Sequence, residues 1–395
     1  MPKPSSALNK LKGQPMFQIL AECRKLELQG RRVLHFELGD PDFDTPSLIT
    51  EGCIQSLKSG NTHYMPARGS EDLIEAVRMT TGISRKFIPG ENQITITTGA
   101  NSAIFYAIKS IADPGDEILI PNPYFPSYLA AAEIAGVKTT FYGLDSEKGF
   151  IPDINEIKES ITTKTKAILI NSPSNPTGTV FSEDILKQIY SIALENDIYI
   201  ISDEVYARMV YSETKKFYSP GSIDSCKERT IIINGFSKAF AMTGWRIGVV
   251  IAPEEVSYGI TLISESIVSC VPGFIQDGAR AAILGPKNTT KLMYEKYRER
   301  QKRICRQLES AGIESPELPD GAMYVFANIR KVSNKSEKFA MHLLKESGIA
   351  TVPGIYFGSN GESHLRLSCA GSDKDIEDLG AYFHNAVITY SGDRK

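Results

Sequence analysis

The chain has 395 residues, 42% of them hydrophobic and 23% charged, which is typical of a soluble globular protein with a large and a smaller domain. Its 44 basic and 47 acidic residues leave a net charge of −3, which gives no reason to expect nucleic acid or an acidic membrane as a partner. The six cysteines include no CxxC pair and the five histidines no HxxxH, so we expect reduced thiols, a cytoplasmic location and no metal site. The N-terminus lacks the apolar run of a signal peptide, and no stretch approaches the length of a membrane span.

The predicted elements begin with an amphipathic helix over residues 15–29, which Gly30 ends, and a loop over residues 38–46 rich in turn formers. Short apolar strands then alternate with segments long enough for helices, at residues 94–97, 117–121, 167–170, 198–201 and 230–233. This alternation indicates an α/β fold in which helices cover a mainly parallel sheet on both faces.

The last third of the chain has a different pattern. A long charged helix is predicted over residues 291–310, followed by strands at 324–329 and 364–368 and by helices at 338–347 and 373–386. This mixture indicates a smaller α+β domain. We expect the N-terminal helix to pack with it, because the central sheet is already complete. The predicted domains are therefore residues 46–284, and residues 1–45 together with 285–395.

The most informative segment is residues 234–248, NGFSKAFAMTGWRIG, which places Lys238 just after a predicted strand and Arg246 eight residues later. The carboxyl ends of parallel strands are where α/β proteins place their sites. A lysine there can form an imine with an aldehyde cofactor. A solvated loop lysine is the ordinary alternative, but fifteen residues in this order favour the catalytic interpretation.

Four other segments carry weaker signals, each with an ordinary structural alternative. Asp203 follows a predicted strand and can pair with a pyridinium nitrogen or cap a helix, while Tyr206 can hydrogen-bond a ring oxygen. Residues 171–178, NSPSNPTG, form a polar site segment or a surface turn. Residues 97–101, TTGAN, offer a helix start that suits phosphate or an unremarkable strand–helix turn. Arg366 can bind a carboxylate or form a surface ion pair.

Taken together and in this order, the segments resemble the class I and II aminotransferases, enzymes of fold type I that use pyridoxal 5'-phosphate (PLP). The resemblance covers roughly residues 39–368 and is most specific in the SK…GWRIG, NPTG and DEVY strings. It implies transfer of an amino group from an L-amino acid to a 2-oxo acid by a ping-pong mechanism.

The resemblance also assigns roles toward the cofactor. Lys238 would hold PLP as a Schiff base and then act as the general base, and Asp203 would pair with the pyridinium nitrogen. Tyr206 and Asn175 would hydrogen-bond the ring oxygen, and Phe125 would stack on the ring. The positions implied for the phosphate are Gly99, Ala100, Asn101, Ser237 and Arg246.

Toward the substrate, the resemblance implies that Arg366 binds the α-carboxylate, with Asn175 and the Gly39 backbone nearby. Tyr64 matches a tyrosine that reaches the phosphate of the neighbouring subunit, so the active unit is expected to be a homodimer. The peptide bonds before Pro123 and Pro176 are expected to be cis.

Two departures from the family pattern matter. Gly235 stands where many relatives have a phosphate-binding serine, which leaves Ser237 to fill that role. Asn101 replaces a lysine found in some aspartate-using relatives, which argues against an acidic substrate side chain. We therefore expect a neutral, apolar or aromatic donor, with apolar residues at the substrate loops: Phe36, Leu38, Phe43, Tyr356 and Phe357. Arg68 is the one basic residue near a substrate-side motif, and a surface or interface charge is its ordinary alternative.

Other activities remain open at this point. A PLP-dependent lyase, such as a C–S β-lyase, shares the same core residues. A hydride-transferring dehydrogenase is disfavoured because no GxGxxG follows a strand. A ligand-sensing regulator on this scaffold would carry a DNA-binding module and a basic patch, and neither is evident.

Overall fold

The computed structural model describes residues 2, 11, 13–286, 288–314 and 318–392. Within them, seven strands form a central sheet in the order β2-β8-β7-β6-β5-β3-β4. Their bounds are β2 Ile94–Thr97, β3 Glu117–Asn122, β4 Lys138–Gly143, β5 Thr165–Asn171, β6 Tyr199–Asp203, β7 Thr230–Gly235 and β8 Gly248–Ile251. All neighbouring pairs are parallel except those of β8, which runs antiparallel to β2 and β7. The mainly parallel sheet expected from the sequence is confirmed.

The apolar runs predict five of these strands but not β4 or β8. The edge strand β4 is mostly exposed or half-buried, so it lacks an apolar run. The strand β8 follows β7 after a connection that has no α-helix and only one 3-10 turn, Thr243–Trp245, and it therefore breaks the alternation of strand and α-helix.

Helices cover both faces of the sheet, as the alternating burial of strand residues shows. On β7, Ile231 and Ile233 pack into one apolar cluster and Ile232 into another. The helices between residues 47 and 284 are α2 Ser47–Lys58, α3 Glu71–Arg85, α4 Ala100–Ile111, α5 Ser127–Ala135, α6 Ile154–Ser160, α7 Glu183–Glu195, α8 Gly221–Asp224, α9 Glu254–Val268 and α10 Gly273–Leu284. Serine side chains cap α3 and α7, because Ser70 and Ser182 accept hydrogen bonds from backbone N–H groups of the first turn.

Residues from both ends of the chain pack together beside this sheet. The helix α1 (Pro15–Leu28) and the short strand β1 (Leu34–His35) belong to the N-terminal segment, and β1 pairs in parallel with β10 (Ile349–Ala350). The C-terminal segment adds an antiparallel sheet in the order β11-β12-β9. In addition to β10, the C-terminal segment contains α11 Lys291–Ser310, β9 Tyr324–Asn328, α12 Ser336–Ser347, β11 Val352–Pro353, β12 His364–Ser368 and α13 Asp373–Thr389.

The strands β5, β6 and β7 end side by side, which positions the residues that follow them. Asn171 at the end of β5 lies opposite Asp203 at the end of β6, and β7 delivers the segment that contains Lys238. The peptide bonds before Pro123 and Pro176 are cis, as expected, and so is the bond before Pro173, which the sequence did not predict. No helix among the described residues combines the length and apolarity needed to cross a bilayer.

Candidate active site

A cavity of about 540 Å³ lies at the carboxyl ends of β5, β6 and β7 and is closed on its far side by residues of α1, β9 and β12. It brings together most of the residues that the sequence singled out: Gly39, Ala100, Asn101, Phe125, Asn175, Asp203, Tyr206, Ser237, Lys238, Arg246 and Arg366. Gly99 and Tyr64 do not line it.

Lys238 projects into this cavity from the segment after β7. Its Nζ donates a hydrogen bond of 2.6 Å to the backbone oxygen of Gly39. Burial, reinforced by the charges of Arg366 and Arg246, lowers the pKa of the amine to about 8, against the opposing effect of Asp40. A lowered pKa increases the neutral, nucleophilic fraction of the amine near neutral pH.

Asp203 is buried at the end of β6, and its carboxylate is held by neutral donors. Tyr128 Oη donates to Oδ2 at 2.7 Å, and the Val205 N–H donates to Oδ1 at 3.2 Å. Burial raises the pKa of Asp203 to about 6, although both hydrogen bonds oppose this shift. Among the described residues, Asp203 has no cationic partner, and a cationic ring nitrogen would supply one. Tyr128 was not predicted, since only a contact across 75 residues identifies it.

Glu204, the next residue, has a structural part in the same motif. Its carboxylate is buried and pairs with Arg85 at 2.6 Å, and it accepts further hydrogen bonds from Ser202 and Ser219. A buried carboxylate with a cation and hydroxyl donors is compensated locally. Glu204 therefore anchors the end of α3 to the end of β6, which supports the backbone at Asp203.

Arg366 on β12 is 1% exposed, which rules out the surface ion pair considered for it. Its Nη1 donates to Asn175 Oδ1 at 3.2 Å and its Nη2 to the backbone oxygen of Glu37, while its Nε has no hydrogen-bond partner among the described residues. The guanidinium carbon lies 4.5 Å from the ring centroid of Tyr324 and 5.1 Å from that of Phe357. Within the described part of the chain, these contacts leave a buried cation without a bonded carboxylate, which suits the carboxylate of a substrate.

The start of α4 and Arg246 form the part of the cavity that suits a phosphate. Gly99 precedes the helix with a φ of +97°, and a Cβ there would lie 2.7 Å from Arg246 Nη2. A side chain at this position would therefore fill the space where Arg246 meets the helix start. Ala100 and Asn101 follow at the N-terminus of α4, where backbone N–H groups favour anions.

The structure also shows where Phe125, Tyr64 and Arg68 lie relative to the cavity. Phe125 lines the cavity, with its ring 5.8 Å from that of Tyr128 in an edge arrangement. Tyr64 is 88% exposed. Arg68 does not line the cavity, and its guanidinium donates to Asn92.

The expected apolar lining needs a correction. Of the residues proposed for it, only Leu38 faces the cavity, whereas Phe36, Phe43, Tyr356 and Phe357 pack elsewhere. Besides Leu38, Phe125 and Val205, the apolar lining comes from Met16 and Phe17 of α1 and from Ile104 of α4. The sequence did not predict a contribution from α1, because α1 lies far from the motifs in the chain and meets the site only in the tertiary structure.

The chain matches the family described as aminotransferase class I and II over residues 31–382. It is a class I/II aminotransferase. The (5-formylfuran-3-yl)methyl phosphate transaminase of Methanocaldococcus jannaschii is 39% identical over 366 residues, covering 92% of this chain and 94% of the relative.

The fold is also similar to solved structures of aminotransferases. A double mutant of the aspartate aminotransferase of Thermus thermophilus superposes with a TM-score of 0.92 at 30% identity, covering 98% of this aminotransferase and all of that chain (100%). An aromatic aminotransferase from Pyrococcus horikoshii gives a TM-score of 0.87 at 34% identity, covering 93% and 98% of the two chains. These findings favour transamination over the lyase reaction that the shared scaffold left open.

The aminotransferase is therefore a PLP-dependent enzyme, and the cavity fits that cofactor. Three features support the fit: the buried acid Asp203 bonded to neutral donors, the small-residue helix start beside Arg246, and the amine of Lys238 in the same cavity. When bound, PLP supplies an aldehyde that binds amines and a ring that accepts electrons from the substrate carbon.

Proposed function

We propose that Lys238, Asp203 and Tyr206 are the catalytic residues of this aminotransferase. Lys238 Nζ would bind the cofactor aldehyde and, once displaced by the amino acid, move the proton at the substrate α-carbon. Asp203 would keep the ring nitrogen protonated, and Tyr206 with Asn175 would donate to the ring oxygen. The observation that carries the proposal is the convergence of the amine, the buried acid and the buried guanidinium of Arg366 in one cavity.

The remaining residues would bind and orient. Arg366 would receive the α-carboxylate with Asn175 and the Gly39 backbone, and Phe125 would stack on the cofactor ring. The phosphate would be bound by Gly99, Ala100, Asn101, Ser237 and Arg246. Borohydride treatment tests the central assignment, because it should fix a PLP-sized mass on Lys238; labelling of another lysine would contradict it.

We infer that the amino donor has a neutral, apolar or aromatic side chain. The cations that line the cavity in the described part of the chain are Lys238, Arg246 and Arg366, and each has a role above. A second substrate carboxylate would need a further cation, because an unpaired anion in a poorly solvated site is costly. Asn101 cannot supply one, and the side-chain wall of Met16, Phe17 and Ile104 is apolar.

Family membership leaves the side chain open, because the relatives named above differ in the substrates of their names. The test is kcat/KM for phenylalanine, methionine, alanine and aspartate with a common 2-oxo acid as acceptor. We expect phenylalanine or methionine to exceed aspartate by about tenfold or more. A clear advantage for aspartate would overturn the inference and direct attention to Arg68 or to a cation from a second subunit.

We also propose that the active unit is a homodimer and that each subunit has the two domains predicted from the sequence, residues 46–284 and residues 1–45 with 285–395. The exposed ring of Tyr64 supports the dimer. Its side chain is 88% exposed, and a large exposed aromatic ring is suited to contact with a partner's surface. The apolar packing supports the grouping of the two chain ends, because Leu34 and Phe36 pack with residues of α11 to α13.

A further inference from the structure

Tyr324 lies between the two sets of residues proposed above for the substrate carboxylate and for the cofactor ring. It is the first residue of β9 and is 2% exposed. Its ring packs on Arg366, with the guanidinium carbon 4.5 Å from the ring centroid. Its hydroxyl lies 2.9 Å from the hydroxyl of Tyr206, and the two rings meet edge to face at 5.8 Å.

We propose that Tyr324 is a positioning residue whose two parts act separately: its ring fixes the Arg366 guanidinium, and its hydroxyl directs the proton of Tyr206. The proposal rests on the roles proposed above for Arg366 and Tyr206. It does not require Tyr324 to contact substrate or cofactor.

The ring is suited to its part because Arg366 has few other restraints. Its hydrogen bonds go to Asn175 and to the backbone of Glu37, and its Nε is buried without a hydrogen-bond partner in the part of the chain that the structure describes. Tyr324 and Phe357 each lie within about 5 Å of the guanidinium carbon. Aromatic rings attract a desolvated guanidinium through its face and leave its edge free for a planar carboxylate.

The hydroxyl is suited to its part because each phenol carries one proton. Burial raises the pKa of both tyrosines, so both are protonated at neutral pH. When Tyr324 donates to Tyr206 Oη, the Tyr206 proton is left to point at another acceptor, and Tyr206 lines the cavity. A Tyr206 without this donor would lose a restraint on the direction of its O–H bond.

The backbone holds Tyr324 in this place from two sides. It pairs with Ser368 across β9 and β12, two residues from Arg366. On the other side lies Gly39, where a Cβ would stand 2.1 Å from Tyr324 Oη. The Gly39 backbone oxygen is also the acceptor for Lys238 Nζ. A glycine at position 39 thus allows the hydroxyl of Tyr324 and the amine of Lys238 to approach the same peptide segment.

The test uses the PLP-loaded enzyme and three substitutions that separate the two parts. Tyr324→Phe removes the hydroxyl and keeps the ring, Phe357→Leu removes the other ring that packs on Arg366, and Tyr324→Leu removes both parts of Tyr324. Two readouts are measured: KM for the better amino acid donor, and the pH midpoint of the visible absorption band of the bound cofactor without substrate. Tyr206→Phe and Arg366→Lys provide reference values for each readout, and circular dichroism confirms folding.

We expect Tyr324→Phe to leave KM near the wild-type value and to move the absorption midpoint in the direction of Tyr206→Phe, by about half a pH unit. Phe357→Leu should raise KM about tenfold without moving the midpoint. Tyr324→Leu should do both; if this variant does not fold, Tyr324→Met, which keeps most of the side-chain volume without an aromatic ring, takes its place as the test of the ring.

Different results separate the failure of this inference from the failure of the proposed function. An unchanged midpoint in Tyr324→Phe, with a shift in Tyr206→Phe, overturns the role of the hydroxyl. An unchanged KM in Tyr324→Leu, with a rise in Arg366→Lys, overturns the role of the ring. If neither reference variant changes its readout, the roles proposed for Tyr206 and Arg366 are wrong, and the inference fails with them.

Discussion

At the scale of single residues, burial sets the chemistry of Asp203. In the protein without PLP, burial raises its pKa from 3.8 to about 6, so the folded state binds this proton more tightly than the unfolded state. The free energy of unfolding therefore falls as the pH rises from about 4 to 7, and Asp203 contributes about 2 kcal/mol of that fall. Asp203→Asn should remove this contribution, which makes the cofactor-free variant more stable than wild type at pH 7 but not at pH 4.

Thermal unfolding of both cofactor-free proteins across this pH range measures the effect. With PLP bound, the order should reverse at pH 7, because the variant loses the ionic pair with the ring nitrogen. Turnover in the PLP-loaded variant should fall far more than PLP affinity. A stability difference between the two proteins that does not depend on pH would contradict the assigned titration.

The amine of Lys238 offers a second prediction at this scale. Its lowered pKa of about 8 leaves about a tenth of the amine neutral at pH 7, and only the neutral amine reacts with an aldehyde. The rate at which PLP attaches to the cofactor-free protein should therefore rise through about pH 8 and then level off. Stopped-flow absorbance measures it, and a rate that continues to rise beyond pH 10 would show an unperturbed amine. Lys238→Ala should keep the fold and lose transamination.

At the scale of elements, the junction of β2 and α4 depends on a small residue with a positive φ. Gly99 adopts φ +97°, and a Cβ there would press on Arg246 Nη2 at 2.7 Å. Gly99→Ala should therefore weaken PLP binding by about tenfold or more, because both the turn and the arginine must move. Gly235→Ala is the matched control, since its Cβ would meet its nearest neighbour at 3.7 Å.

Titration of the cofactor-free variants with PLP, followed by absorbance, compares these two glycines. Equal dissociation constants for Gly99→Ala and wild type would mean that the phosphate lies elsewhere. If Gly235→Ala loses as much PLP affinity as Gly99→Ala, the loss in Gly99→Ala does not come from the clash with Arg246.

At the scale of the whole molecule, the exposed Tyr64 would link cofactor binding to assembly in the proposed homodimer. If its hydroxyl donates to the phosphate bound by a second subunit, Tyr64→Phe should weaken PLP binding about tenfold while the dimer persists. Sedimentation equilibrium reports the assembly, and PLP titration reports the affinity. A monomeric, fully active wild-type protein would end the argument for shared sites.

The sequence by itself determined the fold class, the family and most of the residues that line the candidate site. Lys238, Asp203 and Asn175 each follow an apolar run, and parallel strands align their carboxyl ends, so residues far apart in the chain meet at one edge of the sheet. Residues 291–310 form the long helix with the predicted bounds, because the pattern of charged and apolar residues that predicts it is a local property of the sequence.

Only the tertiary structure decided which side chains support these residues. Tyr128 reaches Asp203 across 75 residues and Tyr324 reaches Tyr206 across 118, and neither lies in a motif that predicts such a contact. Part of the apolar lining of the cavity comes from Met16 and Phe17 of α1 and Ile104 of α4, which the sequence did not indicate. Burial, which shifts the pKa values of Lys238 and Asp203, depends on how distant segments pack, and local sequence does not encode it.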